Sequence, residues 1–137
     1  MISVPDALAR FPGSSTFTFG DSHELNVKIL RLVSNGFKTV SCDAVANFEK
    51  RGEPLPEPGR VDIALHNNGL PVMAIRTLSV DLMRFDEMTE DLIADQGEFR
   101  DLAHWREGYE AYLTRAGVFA PDVMMVVERF EVADRFM

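Results

Sequence analysis

A lysine and a serine three residues apart, Lys38 and Ser41, lie in the run Asn35-Gly36-Phe37-Lys38-Thr39-Val40-Ser41-Cys42. Lysine is scarce here: Lys28, Lys38 and Lys50 are the only ones among 14 basic residues. A lysine made partly neutral by burial can take the proton of a hydroxyl and turn it into a nucleophile, with a carboxylate to orient the lysine or shuttle the proton. In a regular strand, residues three apart face opposite sides of the sheet, so the two side chains meet only if the backbone bulges or turns between them. The competing expectation is structural. Lys38 is then a solvated surface residue, and Ser41 caps a helix that begins near Asp43.

Other candidates are spread along the chain. Asp95, Gln96 and Glu98 surround Gly97 at a helix break, where their side chains either point into a cleft or form a solvated loop. Arg76 sits in a predicted strand with Val72, Met73, Ala74, Ile75 and Leu78, so it needs a partner, either a carboxylate of the protein or an anionic ligand. Trp105, Arg106 and Tyr109 share one helix and could stack on a base, although such a stripe also suits a core. His23, His66 and His104 lack ligand spacing and Cys42 stands alone, so no structural zinc site and no resident cofactor are expected. Phosphate-binding glycine loops, H-E-x-x-H and G-x-S-x-G are all absent, which weighs against nucleotide hydrolysis, dinucleotide binding, zinc proteolysis and the serine-hydrolase fold.

Composition narrows the partners. With 137 residues, 46% of them hydrophobic, the chain suits one compact domain with a core. A net charge of −8 disfavours a wide grip on duplex phosphates and attraction to anionic membranes. Nucleic acid remains open through a local basic cleft, or as a ligand the size of a nucleoside. No apolar run approaches membrane-spanning length, and Met1 to Gly13 does not read as a secretory signal. The single cysteine fits a reducing cytoplasm. Oligomeric state has no sequence signature.

The elements that must hold these residues follow from periodicity. Met1 to Thr18 reads as a short helix or turn and then an extended arm, with Thr16 to Phe19 alternating like a short strand. A helix opens after Asp21, whose spacing to Glu24 is that of a capping box, and Asn35-Gly36 ends it. Phe37 to Cys42 predicts a strand and Asp43 to Arg51 a helix. The proline-rich stretch Gly52 to Gly59 predicts a loop. Val61 to Leu65 and Val72 to Asp81 are strands joined by the hairpin signal Asn67-Asn68-Gly69. Helices are expected over Phe85 to Ala94, capped by Asp86, and over Asp101 to Arg115, with a last strand over Val123 to Val132. Hairpin-linked strands with helices outside them predict an α+β domain built as a small, partly closed barrel.

The runs Phe19-Gly20-Asp21-Ser22 and Gly36-Phe37-Lys38-Thr39-Val40-Ser41 resemble the ASCH family, which is related to PUA domains and carries a G-x-K-x-x-T signature. Ile75-Arg76-Thr77, Trp105-Arg106-Glu107 and Glu128-Arg129-Phe130-Glu131-Val132 extend the likeness over nearly everything from Phe19 onward. The resemblance implies an arm over 1–18 and a domain over 19–137, a PUA-like mixed β-barrel surrounded by α-helices. It also implies a cleft at the G-x-K region that binds RNA or a modified nucleoside. Lys38 would contact phosphate or base there, with Arg76 and Arg106 as supporting cations and Asp21 and Trp105 also at the ligand. Some relatives resemble amidohydrolases that remove an acyl group from the exocyclic nitrogen of cytidine. On that pattern Ser41, standing where threonine is usual, is the nucleophile, Lys38 the base and Glu98 the acid, while Gln96 occupies a position where related chains show glutamate. A ribonuclease role, with a metal held by Asp95 and Glu98, is a third expectation.

Overall fold

The computed structural model describes all residues, Met1–Met137. In chain order the elements are α1 (Val4–Arg10), β1 (Thr16–Phe17), α2 (His23–Ser34), β2 (Val40–Ala44), α3 (Val45–Arg51), β3 (Val61–Leu65), β4 (Pro71–Arg84), α4 (Glu90–Gln96), α5 (Leu102–Arg115) and β5 (Met124–Arg135). One five-stranded sheet runs β1-β3-β4-β5-β2, with β1 and β3 parallel and every other pair antiparallel. The edge strands β1 and β2 do not pair with each other, so the architecture is α+β with an open sheet rather than a closed barrel.

The first site-forming feature is how α2 ends. Ser22, not Asp21, is its N-cap, accepting from the Leu25 amide at 3.2 Å. Ile29, Leu30 and Val33 bury its apolar face against Ala64, Met73, Ile75 and Phe130 of the sheet. At the other end Gly36 takes a φ of +80°, and the Phe37 and Lys38 amides both return to the Leu32 carbonyl, at 2.9 and 3.1 Å. Those amides are spent on the cap, and the Thr39 amide goes to the Asp95 carbonyl at 2.9 Å. The strand expected from Phe37 therefore begins only at Val40.

Two other boundaries shift for local reasons. The helix expected from Asp43 starts at Val45, because the Asp43 carboxylate accepts from the Ala44 amide at 2.8 Å and β2 runs on to Ala44. Ser41 consequently lies inside the strand and caps nothing. The helix expected over Phe85 to Ala94 is split into a 3-10 turn, Phe85–Glu87, and α4, with Met88 extended between them. The two long strands outrun their patterns, β4 to Arg84 and β5 to Arg135, and pair along most of their length with a register shift between Thr77 and Ser79.

Strand alternation assigns the faces of β2. Val40, Cys42 and Ala44 join Met125 and Val127 in the core under α4 and α5, where Ile93, Trp105 and Leu113 are fully enclosed. Burying side chains of this size stabilises the fold by about 1.5–3 kcal/mol each before ordering costs. Ser41 and Asp43 face the other way. On the neighbouring strands, α1 packs Ala7 on Ile63 and Ala74, the face opposite to the one α2 covers.

Candidate functional site

The two stretches that promised chemistry, residues 37–41 and 95–98, do meet. Lys38 reaches out of the α2 cap and is buried, with 3% of its surface exposed. Its ammonium donates to the Val40 carbonyl at 2.8 Å, to Glu98 Oε2 at 2.7 Å and, more weakly, to the Gln96 carbonyl at 3.5 Å. An ammonium has three protons, so this set spends all of them. Gly97 allows the approach: its φ is +72°, and a Cβ there would sit 2.6 Å from the Phe37 carbonyl oxygen. Lys38 is thus not the solvated surface residue of the structural expectation. It is a clamp between the start of β2 and the end of α4.

Behind the clamp lies a buried polar cluster. The Cys42 thiol donates to Gln96 Oε1 at 3.7 Å, and the Tyr109 hydroxyl donates to the Cys42 carbonyl at 3.0 Å. Burial pushes the thiol up to about 11, with Tyr109 and the Lys38 charge pulling the other way. Burial likewise lifts the Tyr109 phenol well above its ordinary value. Trp105 is enclosed between Phe85 and Tyr109, with ring centroids 4.8 and 5.0 Å away, so no face is left for a base to stack on. Its Nε1 and Gln96 Nε2 are buried donors without a partner.

On the opposite face of β2 the picture is different. Ser41 stands directly across from Glu128 in the β2–β5 pairing, so the two side chains are neighbours on one surface. They line a pocket of about 70 Å³ whose wall also includes Asp43, Val126, the Phe48 ring and Pro56. The Thr77 hydroxyl donates to Glu128 Oε2 at 2.6 Å. Burial raises the Glu128 carboxyl above the usual glutamate range, while Thr77 and Arg60 oppose that rise and Asp62 adds to it. Asp43 Oδ1 is fully engaged by the Ala44 amide, Asn47 and the Tyr112 hydroxyl, and Oδ2 by Arg51. Burial beside this carboxylate pushes Tyr112 to about 12.

Of the expected catalytic set, Lys38 and Glu98 are therefore in contact, whereas Ser41 shares its pocket with Glu128 and not with either of them. Asp95 is paired with Arg129 at 2.9 Å, so both carboxylates of the expected ribonuclease metal site already hold a cation of the protein. Arg76 pairs with Glu131 across the β4–β5 ladder, which answers its sequence puzzle with a structural ion pair. Asp21 and Arg106 are exposed on the surface, the former 3.7 Å from Arg115. A larger depression of about 290 Å³ lies apart from these residues, between the α1 arm and the start of β3, and its arginines Arg10 and Arg60 are already bonded to Asp134 and Asp62. Sequence reasoning did not single out Glu128. The signal was there, a carboxylate inside the apolar run Met124-Met125-Val126-Val127-Glu128, of the same kind that drew attention to Arg76.

The family model for the ASCH domain matches residues 15–134. Among solved structures, an ASCH domain from Lactobacillus crispatus superposes with a TM-score of 0.79 at 24% identity, covering 98% of this chain and 87% of that one. Protein EF3133 from Enterococcus faecalis superposes with a TM-score of 0.80 at 27% identity, over 96% of this chain and 85% of that one. A third structure, hypothetical protein PH0355, shares the fold at a TM-score of 0.57 and 15% identity, over 87% of this chain and 96% of that one. No curated protein sequence matches this chain. No helix is long and apolar enough to cross a membrane.

Proposed function

The chain belongs to the ASCH domain family, and from that premise we propose that it binds a nucleoside, or a single base of an RNA, in the pocket between Ser41 and Glu128. The observation that carries this reading is the pairing of those two residues across β2 and β5, in a pocket that Phe48 and Pro56 also line. Ser41 Oγ and Glu128 Oε1 are polar atoms of the wall with hydrogen-bonding capacity to spare, and a ring and a proline beside them suit a flat heterocycle. A ligand of this size suits a protein of net charge −8 better than a long RNA does. Lys38 has a supporting part in this reading: its ion pair with Glu98 ties the start of β2, the strand that carries Ser41, to the end of α4. Arg76 and Arg106 then have no part in the site.

The test is titration of cytidine, uridine, adenosine and guanosine, and of short single-stranded RNAs, against the wild type and Ser41→Ala. Resonances of β2 and β5 should move in the wild type and lose at least about tenfold in affinity in the variant, the effect expected when a good hydrogen bond to a ligand is removed. Shifts confined to other surfaces would overturn the assignment of the pocket.

A second reading, hydrolysis of an acyl group from N-acylated cytidine, draws support from the Lys38–Glu98 contact. Ser41 Oγ would lose its proton and bond to the acyl carbon, the C–N bond would break with the proton passing to the leaving amine, and water would then cleave the ester. Lys38 lies outside the Ser41 pocket, so it could act as the base only after a rearrangement of β2 that also releases its present acceptors, and after giving up a proton. Product release from a panel of N-acylated cytidines that is present in the wild type and lost in Ser41→Ala would support this chemistry; absence of turnover in the wild type would exclude it.

A further inference from the structure

We propose that Glu128 is the specificity-determining residue of this pocket, reading a heterocycle that presents an exocyclic amine beside a ring-nitrogen acceptor. The inference rests on the pocket reading above and extends it to the chemistry of the ligand. Glu128 Oε2 is occupied by the Thr77 hydroxyl at 2.6 Å, which fixes the carboxyl plane and leaves Oε1 as the free acceptor. Ser41, directly opposite across the β2–β5 pair, brings a hydroxyl whose proton is available to a ligand. Side chains opposed in this way have Cβ atoms about 4.5–5.5 Å apart, a spacing at which an acceptor and a donor can engage adjacent atoms of one ring edge.

The other polar groups of the wall leave these two to do the reading. Asp43 spends Oδ1 on three donors and Oδ2 on Arg51, and Arg60, the cation whose charge acts on Glu128, is tied to Asp62 at 2.7 Å and to the Leu55 carbonyl at 3.2 Å. An acceptor beside a donor matches an amine next to an unprotonated ring nitrogen. The amine hydrogen goes to Glu128 and the ring nitrogen accepts from Ser41. A pocket of about 70 Å³ admits one ring edge of a pyrimidine more readily than a fused purine. Burial also raises the Glu128 carboxyl above its ordinary range, and an amine hydrogen-bonded to its ionised form would offset part of that desolvation.

The experiment compares cytidine with 2-pyrimidinone riboside, which has the same ring and sugar but no exocyclic amine. The expected result for the wild type is cytidine binding at least about tenfold tighter, since a site built around a hydrogen bond rejects the analogue that lacks it. In the double variant Glu128→Leu/Thr77→Val, which removes both partners of the buried hydrogen bond and so leaves neither unpaired, the ratio should fall to about one. A second measurement avoids any dependence on the variant's folding. The Glu128 carboxyl carbon resonance of the wild type should move on addition of cytidine and stay in place with the pyrimidinone riboside. Equal wild-type affinity for the two ribosides, discrimination that survives in the folded double variant, or a Glu128 resonance that does not respond to cytidine would each overturn the assignment. A wild type that binds neither riboside overturns the nucleoside pocket itself, a result distinct from all of these.

Discussion

The Lys38 ammonium and the Glu98 carboxylate, 60 residues apart in the chain, meet at 2.7 Å with 2% and 10% of their side chains exposed. Charges taken out of water this far recover their desolvation cost only through close pairing and further hydrogen bonds. The Val40 and Gln96 carbonyls supply those bonds for the ammonium. The contact thus ties the turn after α2 to the end of α4, beside the point where β2 enters the sheet. A residue that does this cannot be removed as a simple probe of chemistry.

Lys38→Ala should therefore lower stability by about 3–5 kcal/mol, the cost of leaving one buried partner of an ion pair uncompensated. The double variant Lys38→Met/Glu98→Leu, which removes both charges, should recover much of that loss. Urea unfolding of the wild type, the single and the double variant checks this. A Lys38→Ala protein as stable as the wild type would show that the pair carries no structural weight, and activity lost in it could then be assigned to chemistry.

Gly97→Ala tests the same junction from the backbone side. The substitution meets a φ of +72° and puts a methyl group 2.6 Å from the Phe37 carbonyl oxygen, which belongs to backbone that is itself capping α2. A destabilisation of about 2 kcal/mol or more is expected, above the cost of the dihedral alone. At Gly36, where a Cβ meets nothing within 4 Å, the same substitution should cost only the left-handed dihedral, roughly 1 kcal/mol. Thermal melting of the two variants distinguishes them; equal shifts would mean that the close approach at Gly97 relaxes freely.

How much of this was legible in the sequence depends on the range of the forces involved. The cap at Asn35-Gly36, the hairpin at Asn67-Asn68-Gly69 and the apolar stripe of α5 are local, and all three form where their residues indicate. The start of β2 was not local: it is decided by where the Phe37, Lys38 and Thr39 amides find acceptors, and one of those acceptors is Asp95. The same holds for the site. Spacing suggested that Lys38 and Ser41 must be brought together by a bend, whereas the sheet gives each its own carboxylate, Glu98 for the lysine and Glu128 for the serine. Strand alternation had already raised that difficulty. Only the β2–β5 register supplied the partner.

Cys42 should be unreactive in the folded protein. It is buried in the core beside Gln96 and Tyr109, and its thiol is pushed up to about 11. Against a free cysteine near 8.5, the thiolate population at neutral pH falls by at least about a hundredfold, before access is considered. Alkylation by iodoacetamide at pH 7.5, followed by mass spectrometry, should be slow in buffer and fast in urea, tracking unfolding. Rapid modification under native conditions would show that the α4–α5 layer opens over β2.

The Glu128 carboxyl gives the fold a pH signature of opposite sign to that of a salt-bridged acid. Burial raises it above its unfolded value, with Asp62 adding to the rise and Thr77 and Arg60 reducing it. Below the ordinary glutamate range, near about 4.3, the group is protonated in both states and contributes no difference. As pH rises past that range, the unfolded chain gives up the proton first, so the folded state binds more protons and stability falls until the raised folded value has been passed. Glu128→Gln keeps an acceptor for the Thr77 hydroxyl and does not titrate. The wild type should accordingly lose stability relative to Glu128→Gln as pH rises above the ordinary glutamate range, by about 1.4 kcal/mol for each unit by which the carboxyl is raised, and then level off. Urea unfolding of the two proteins across that range measures the difference directly. A difference independent of pH would mean that Glu128 is as well solvated as an exposed glutamate, and a wild type that gains on the variant would mean that its carboxylate is held by a cation the present geometry does not place there.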